Sequence, residues 1–125
     1  MKEYTKAIHI PGEVITVSAR EAKTLTFTTD DVDVGNFREL LLFVFVSAAS
    51  GTTPTLNIDV QVKNITEAEY KTIYSFTEIT AAGHFIRSIG AGLATAESFG
   101  TKIRCVCTIG GTTPSFTFGI EAIGK

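Results

Sequence analysis

The chain has 125 residues, 44% of them hydrophobic and 19% charged, a balance that gives one globular domain and excludes intrinsic disorder. Its formal charge of −2, with no Lys/Arg cluster, excludes the phosphate footprint of a nucleic-acid binder and a basic membrane-surface patch. The longest apolar run, residues 40–46, is far shorter than the ~20 residues of a membrane helix, and the opening residues hold no apolar signal core; the expectation is a protein made and kept in a cytoplasm.

Residues 1–12 read as an N-terminal arm ending at Pro11-Gly12, and residues 13–125 as a single β domain. Thr, Val, Ile and Phe dominate, turn residues recur at short intervals, and helical periodicity never persists. Strands are predicted over 13–18 and 22–28, the second with Leu25 and Phe27 on one face. An acidic turn over 30–36 leads to a third strand, 38–47. The fourth, 55–64, alternates most clearly, with Leu56, Ile58, Val60 and Val62 inward and Asn57, Asp59, Gln61 and Lys63 outward. Strands follow over 70–77 and 84–89, and then a Gly/Ala-rich loop over 90–96. The last two are predicted over 101–109 (Ile103, Cys105, Cys107, Ile109 inward) and 115–123 (Phe116, Phe118, Ile120 inward).

One phrase occurs twice: Ser50-Gly51-Thr52-Thr53-Pro54 and Gly110-Gly111-Thr112-Thr113-Pro114. Each lies between two β-like runs and reads as a hairpin turn, joining 38–47 to 55–64 and 101–109 to 115–123. The expected fold is all-β, an antiparallel β-sandwich of about eight strands, jelly-roll-like.

The third predicted strand is apolar on both faces, Leu40, Leu42, Val44 and Val46 on one and Leu41, Phe43 and Phe45 on the other. One face belongs in the core. The second needs a cover, supplied by the arm, by the loop after residue 90 or by a neighbouring subunit. The residues expected at a subunit or capsid interface are Ile8 and Ile10 of the arm with Leu40, Leu42, Val44 and Val46.

Chemistry is sparse. Cys105 and Cys107 share a strand face and read as buried thiols; a lone C-x-C lacks the second ligand pair of a zinc site. His9 and His84 have no nucleophile or carboxylate pattern around them, and no catalytic or phosphate-binding motif is present. Asp31-x-Asp33-x-Gly35 is the nearest approach to a calcium loop, but Glu39 comes too early to close it, so a solvated acidic turn is the default. Asn64-Ile65-Thr66 matches a glycosylation sequon without a signal peptide to give it meaning. For a sugar platform only Tyr4, Tyr70 and Tyr74 are candidates. No cofactor is expected.

Three stretches carry a resemblance: Lys102-Ile103-Arg104-Cys105-Val106-Cys107-Thr108-Ile109 running into the second Thr-Thr-Pro phrase and Ser115-Phe116-Thr117-Phe118; the first phrase with Thr55-Leu56; and Phe76-Thr77-Glu78-Ile79-Thr80-Ala81-Ala82-Gly83. Over residues 37–122 the chain resembles small virion structural proteins of tailed bacteriophages. The resemblance implies a β-sandwich without enzymatic activity that attaches to a capsid or tail, and it carries over no binding residue. The expected function is a capsid decoration or cementing protein. It binds the outer head surface as a homo-oligomer, expected to be a trimer, with a major capsid protein as partner and no direct contact with nucleic acid or membrane. Its expected location is the virion, after assembly in the host cytoplasm. The alternatives are a tail, baseplate or fibre component and, from another class, a carbohydrate-binding module.

Overall fold

The computed structural model describes residues 12–64, 66, 68–90 and 99–125. They form an antiparallel all-β structure of seven strands: β1 (Val14–Lys23), β2 (Phe27–Thr28), β3 (Val32–Asp33), β4 (Glu39–Asn64), β5 (Glu69–Ser75), β6 (Gly83–Gly90) and β7 (Lys102–Gly124). The arm with Tyr4, Ile8, His9 and Ile10, the residue Ile65 and the loop 91–98 lie outside the described residues.

β4 and β7 are the spine. They pair along nearly their whole lengths, from Leu40 opposite Gly124 to Val62 opposite Ile103. The two predicted hairpins are therefore absent: 38–47 and 55–64 are one strand, and so are 101–109 and 115–123. The repeated phrases lie opposite each other, Ser50 beside Ser115 and Thr52 beside Thr112, with register shifts on either side of Thr52. Each is a bulge. Gly51 (φ +109°) and Thr53 (φ +47°) in β4 repeat as Gly111 (φ +111°) and Thr113 (φ +46°) in β7. A Cβ on Gly51 would sit 2.6 Å from the Thr113 carbonyl oxygen, and one on Gly111 would sit 2.6 Å from the Thr53 carbonyl oxygen. Glycine is required at both points by this reciprocal approach as well as by φ. The same residues suit a hairpin; what decides is that residues 40–50 find partners on β7 and β6 instead of on 55–64.

The flanking strands follow the spine in pieces. β1, β2 and β3 run in succession along β7, with Lys23 opposite Phe116, Phe27 opposite Cys107 and Val32 opposite Ile103. β5 and β6 run along β4, Asp59 opposite Ser75 and Val46 opposite Gly83, with an isolated bridge from Leu56 to Ile79 between them. Every path is thus interrupted or bulged near one line, at the level of the two phrases. That line divides the sheet. In the first half, β4 residues 39–50 lie between β6 and the end of β7, with β1 beyond. In the second, residues 55–64 lie between β5 and the start of β7, with β2 and β3 beyond.

The two predicted N-terminal strands are also redrawn. β1 runs unbroken from Val14 to Lys23, and only Phe27-Thr28 remains of the second. Leu25, expected to share a face with Phe27, is 77% exposed, whereas Phe27 packs on the core.

The alternating residues of both halves supply one apolar cluster. Leu40, Leu42, Val44 and Val46 join Leu56, Ile58 and Val60 from β4, and Ile103, Cys105 and Cys107 join Phe116, Phe118, Ile120 and Ala122 from β7. Burying a Leu, Ile or Phe side chain of this kind contributes about 1.5–3 kcal/mol. No polar or charged side chain is buried among the described residues. The halves also touch: the Phe27 and Phe118 rings lie 5.9 Å apart, and the Arg87 guanidinium stands 4.5 Å from the centre of the Tyr74 ring.

Candidate functional site

The four β4 residues expected at an interface are the first correction. Leu40, Leu42, Val44 and Val46 are at most 3% exposed, packed within the chain's own core. Alternation then turns Leu41, Phe43 and Phe45 to the opposite face. All three remain half-exposed.

Cross-strand pairing extends that face in both directions. Opposite Leu41, Phe43 and Phe45 stand Ile123, Glu121 and Gly119 on β7, and Ser88, Ile86 and His84 on β6. Val14 of β1 pairs with Ile123 and is 53% exposed; Ile86 is 59% exposed. The result is a largely apolar surface across four strands, interrupted by Ser88, His84, Glu121 and Thr16.

The aromatic groups on it are fixed against one another. Phe43 meets Phe45 edge-on at 6.3 Å between ring centres, and the His84 imidazole tilts against Phe43 at 5.5 Å. The Phe45 ring lies across β7 at Gly119, its tip 3.0 Å from where a Cβ there would stand. Gly119 is the flat spot that lets the ring fold over the strand. The Arg20 guanidinium caps the same ring at 5.8 Å from its centre. Glu121 sits among these residues opposite Phe43, half-buried, with no ion pair or hydrogen bond to another described residue.

At one end of the face, Gly12, Leu41, Ser88 and Ile123 line a shallow pocket. The Gly12 N–H donates to the Gly124 carbonyl at 2.6 Å, so the chain joins the fold at this pocket.

The outer face of the second half is polar and most of its groups are paired, although half-buried Asp59 has no hydrogen bond or ion pair to another described residue. Arg104 donates through Nε to Gln61 at 2.8 Å, and Gln61 donates to the Thr72 hydroxyl at 3.2 Å. The Arg104 guanidinium stacks 3.3 Å from the Tyr70 ring centre, and the Tyr70 hydroxyl donates to Asp31 at 2.9 Å. Lys63 pairs with the same carboxylate at 3.3 Å. Asn57 donates to Glu78 at 3.1 Å.

The same network takes in the two acids of the turn expected to be solvated. Asp31 is engaged by Lys63 and Tyr70; Asp33 accepts from the Gly35 N–H at 3.0 Å and faces Lys102 at 3.9 Å. The sugar platforms fare similarly: Arg104 covers Tyr70, while Tyr74 is flanked by Arg87 and by Phe76 at 5.1 Å. Cys105 and Cys107 are free and buried. Burial pushes the Cys107 thiol up to about 12, against a downward pull from Lys23, and burial with the neighbouring Cys107 pushes Cys105 higher still. Both are neutral, unreactive hydrophobes at physiological pH.

Sequence reasoning missed Ile86, Ile123, Val14 and Glu121 as members of the apolar face. Each becomes part of it only through pairing with β4 or β7, which local alternation does not encode. No protein-family model matches the chain, and no curated protein matches it in sequence.

Proposed function

We propose that the protein is a non-enzymatic structural component of a tailed-phage virion. In this reading it is a capsid decoration or cementing protein that assembles with its own copies and with the major capsid protein through the outer face around Phe43 and Phe45. The observation that carries the reading is that face: largely apolar across four strands and with its rings held in place, on a chain whose other outer face is polar. The family resemblance supplies the virion; the face supplies the mode of attachment.

The architecture that accompanies it is a two-layer jelly roll, formed by the sheet doubling back at the line of the two bulges. Arg87 lies opposite Leu42, and Tyr74 lies opposite Val60. Along an extended strand those β4 positions stand about 60 Å apart, yet the Arg87 and Tyr74 side chains are 4.5 Å from contact centre to ring centre. The Phe27–Phe118 contact at the opposite side of the sheet has the same sense. One layer is then β1, the end of β7, the start of β4 and β6; the other is β2 with β3, the start of β7, the end of β4 and β5. Such a fold is common in viral shells and hosts other functions as well, so it supports the reading without determining it.

The test is sedimentation with shells of the major capsid protein encoded in the same genome. The chain is expected to pellet with the shells at a fixed ratio, and Phe43→Asp to remain in the supernatant. A wild-type chain that stays in the supernatant while the shells pellet overturns the decoration role; pelleting with isolated tails instead favours the tail, baseplate or fibre alternative.

A further inference from the structure

We infer that the face around Phe43 and Phe45 is a two-fold interface between copies of this chain, in which Glu121 of each copy meets Arg20 of the other. The inference rests on the assembly reading above and narrows it, naming a second copy as the occupant and a two-fold pair in place of the trimer expected from the resemblance.

The argument starts from Glu121. It is half-buried at the middle of the apolar face, opposite Phe43 on one side and Thr16 on the other, with no cation of its own among the described residues. Covering the face removes the water that solvates this carboxylate. An unpaired charge left in such a site is strongly destabilising, so covering the face calls for a cation at that point.

The face carries the required cation itself. The Arg20 backbone lies against Gly119, two residues along β7 from Glu121, and its guanidinium rests over Phe45. Side chains at 119 and 121 share the outer face. A two-fold axis running across the strands, midway between the Phe43 and Phe45 rows, exchanges those rows. It sets Phe43 on Phe45 of the second copy, Ile86 on His84, and Glu121 on the Gly119 position where Arg20 waits. Each contact then occurs twice, as a two-fold interface requires.

The size of the face sets the strength. Four strands by three alternate rows span about 19 by 20 Å, roughly 400 Å² of flat area per copy and about 800 Å² for the pair, below the ~1,000 Å² of a stable specific interface. The expected self-association is therefore weak and concentration-dependent.

Sedimentation equilibrium on the full chain over a range of concentrations tests this, with circular dichroism melts to show that each variant is folded. The wild type is expected to dimerise. Glu121→Arg and Arg20→Glu are each expected to weaken dimerisation about tenfold or more, and the double variant E121R/R20E to recover it to within about threefold. A double variant no tighter than the singles overturns the Glu121–Arg20 register. So does a wild-type trimer indifferent to both singles. A monomeric wild type that associates only after residues 1–11 are removed assigns the face to the chain's own arm and also overturns the proposal. Phe43→Asp separates the two levels: if it dissociates the oligomer while the double swap fails, the register falls and the assembly reading stands; if it leaves the oligomer's mass unchanged, both fall.

Discussion

The two outer faces of this sheet rest on the same two strands, β4 and β7, and differ in almost every other respect. In the second half, Gln61, Lys63, Arg104, Tyr70 and Asp31 are tied together by hydrogen bonds, an ion pair and ring stacking, on a polar face. In the first, Leu41, Phe43, Phe45, Ile86 and Ile123 present apolar surface around the Glu121 carboxylate, which has no partner among the described residues. The inner faces, by contrast, are alike: both are aliphatic and aromatic, and both are closed to solvent. Folding accounts for the inner faces, and hydrogen bonds and ion pairs hold much of the polar outer one. The first outer face is the one on which the proposed assembly rests.

Core substitutions should expose the likeness, with the largest effects. Leu42→Ala in the first half and Ile58→Ala in the second are each expected to cost about 3–4 kcal/mol in urea unfolding. A tolerant Leu42 site would mean that the first half packs loosely and that the comparison starts from unequal halves. Next are the twin bulges. Gly51→Ala and Gly111→Ala each place a Cβ against a backbone carbonyl at a positive φ, and each should cost about 3 kcal/mol. A large loss at one and none at the other would break the reciprocal arrangement.

The thiols add a pH dependence, and both lie in the second half, opposite Val60 and Ile58. Their folded-state values lie above the unfolded value of about 8.5, with Cys107 at about 12 and Cys105 beyond it. As pH rises above 9 the unfolded chain loses these protons first, so stability falls, by about 1.4 kcal/mol per pH unit for each thiol. Below pH 8 the contribution is complete and flat. Urea midpoints of the wild type and of a Cys105→Ala/Cys107→Ala variant, compared at pH 8 and pH 10, check this; parallel declines would remove the thiols as the cause.

The smallest effect belongs to the polar face. Arg104→Ala removes one hydrogen bond and one stacking contact, at an expected cost of about 1 kcal/mol or less and with no change in oligomeric mass. A change in mass there would mean that the polar face also binds a partner.

Much of the core was legible, because inward alternation is a local signal. Leu56, Ile58, Val60, Ile103, Cys105, Cys107, Phe116, Phe118 and Ile120 all stand where period-two reading puts them. Connectivity was not. Gly-Thr-Thr-Pro supplies positive φ and a restricted next residue, which serve a hairpin and a bulge equally, and only partners some 60 residues away choose between them. The apolar outer face was half legible. Two apolar faces on residues 38–47 announced a need for cover, but alternation cannot say which face points in, and Leu40, Leu42, Val44 and Val46 proved to be the inner one. Glu121 and Arg20 came into view only with the register of β7 against β4 and β1.

The most direct measurement is the mass of the wild type and of Phe43→Asp, determined side by side by light scattering from low to high micromolar concentration. The prediction is a wild type whose mass rises above that of one chain as concentration increases, and a folded Phe43→Asp variant that stays a monomer throughout. A wild type that remains monomeric, or a variant that assembles as well as the wild type, contradicts the account.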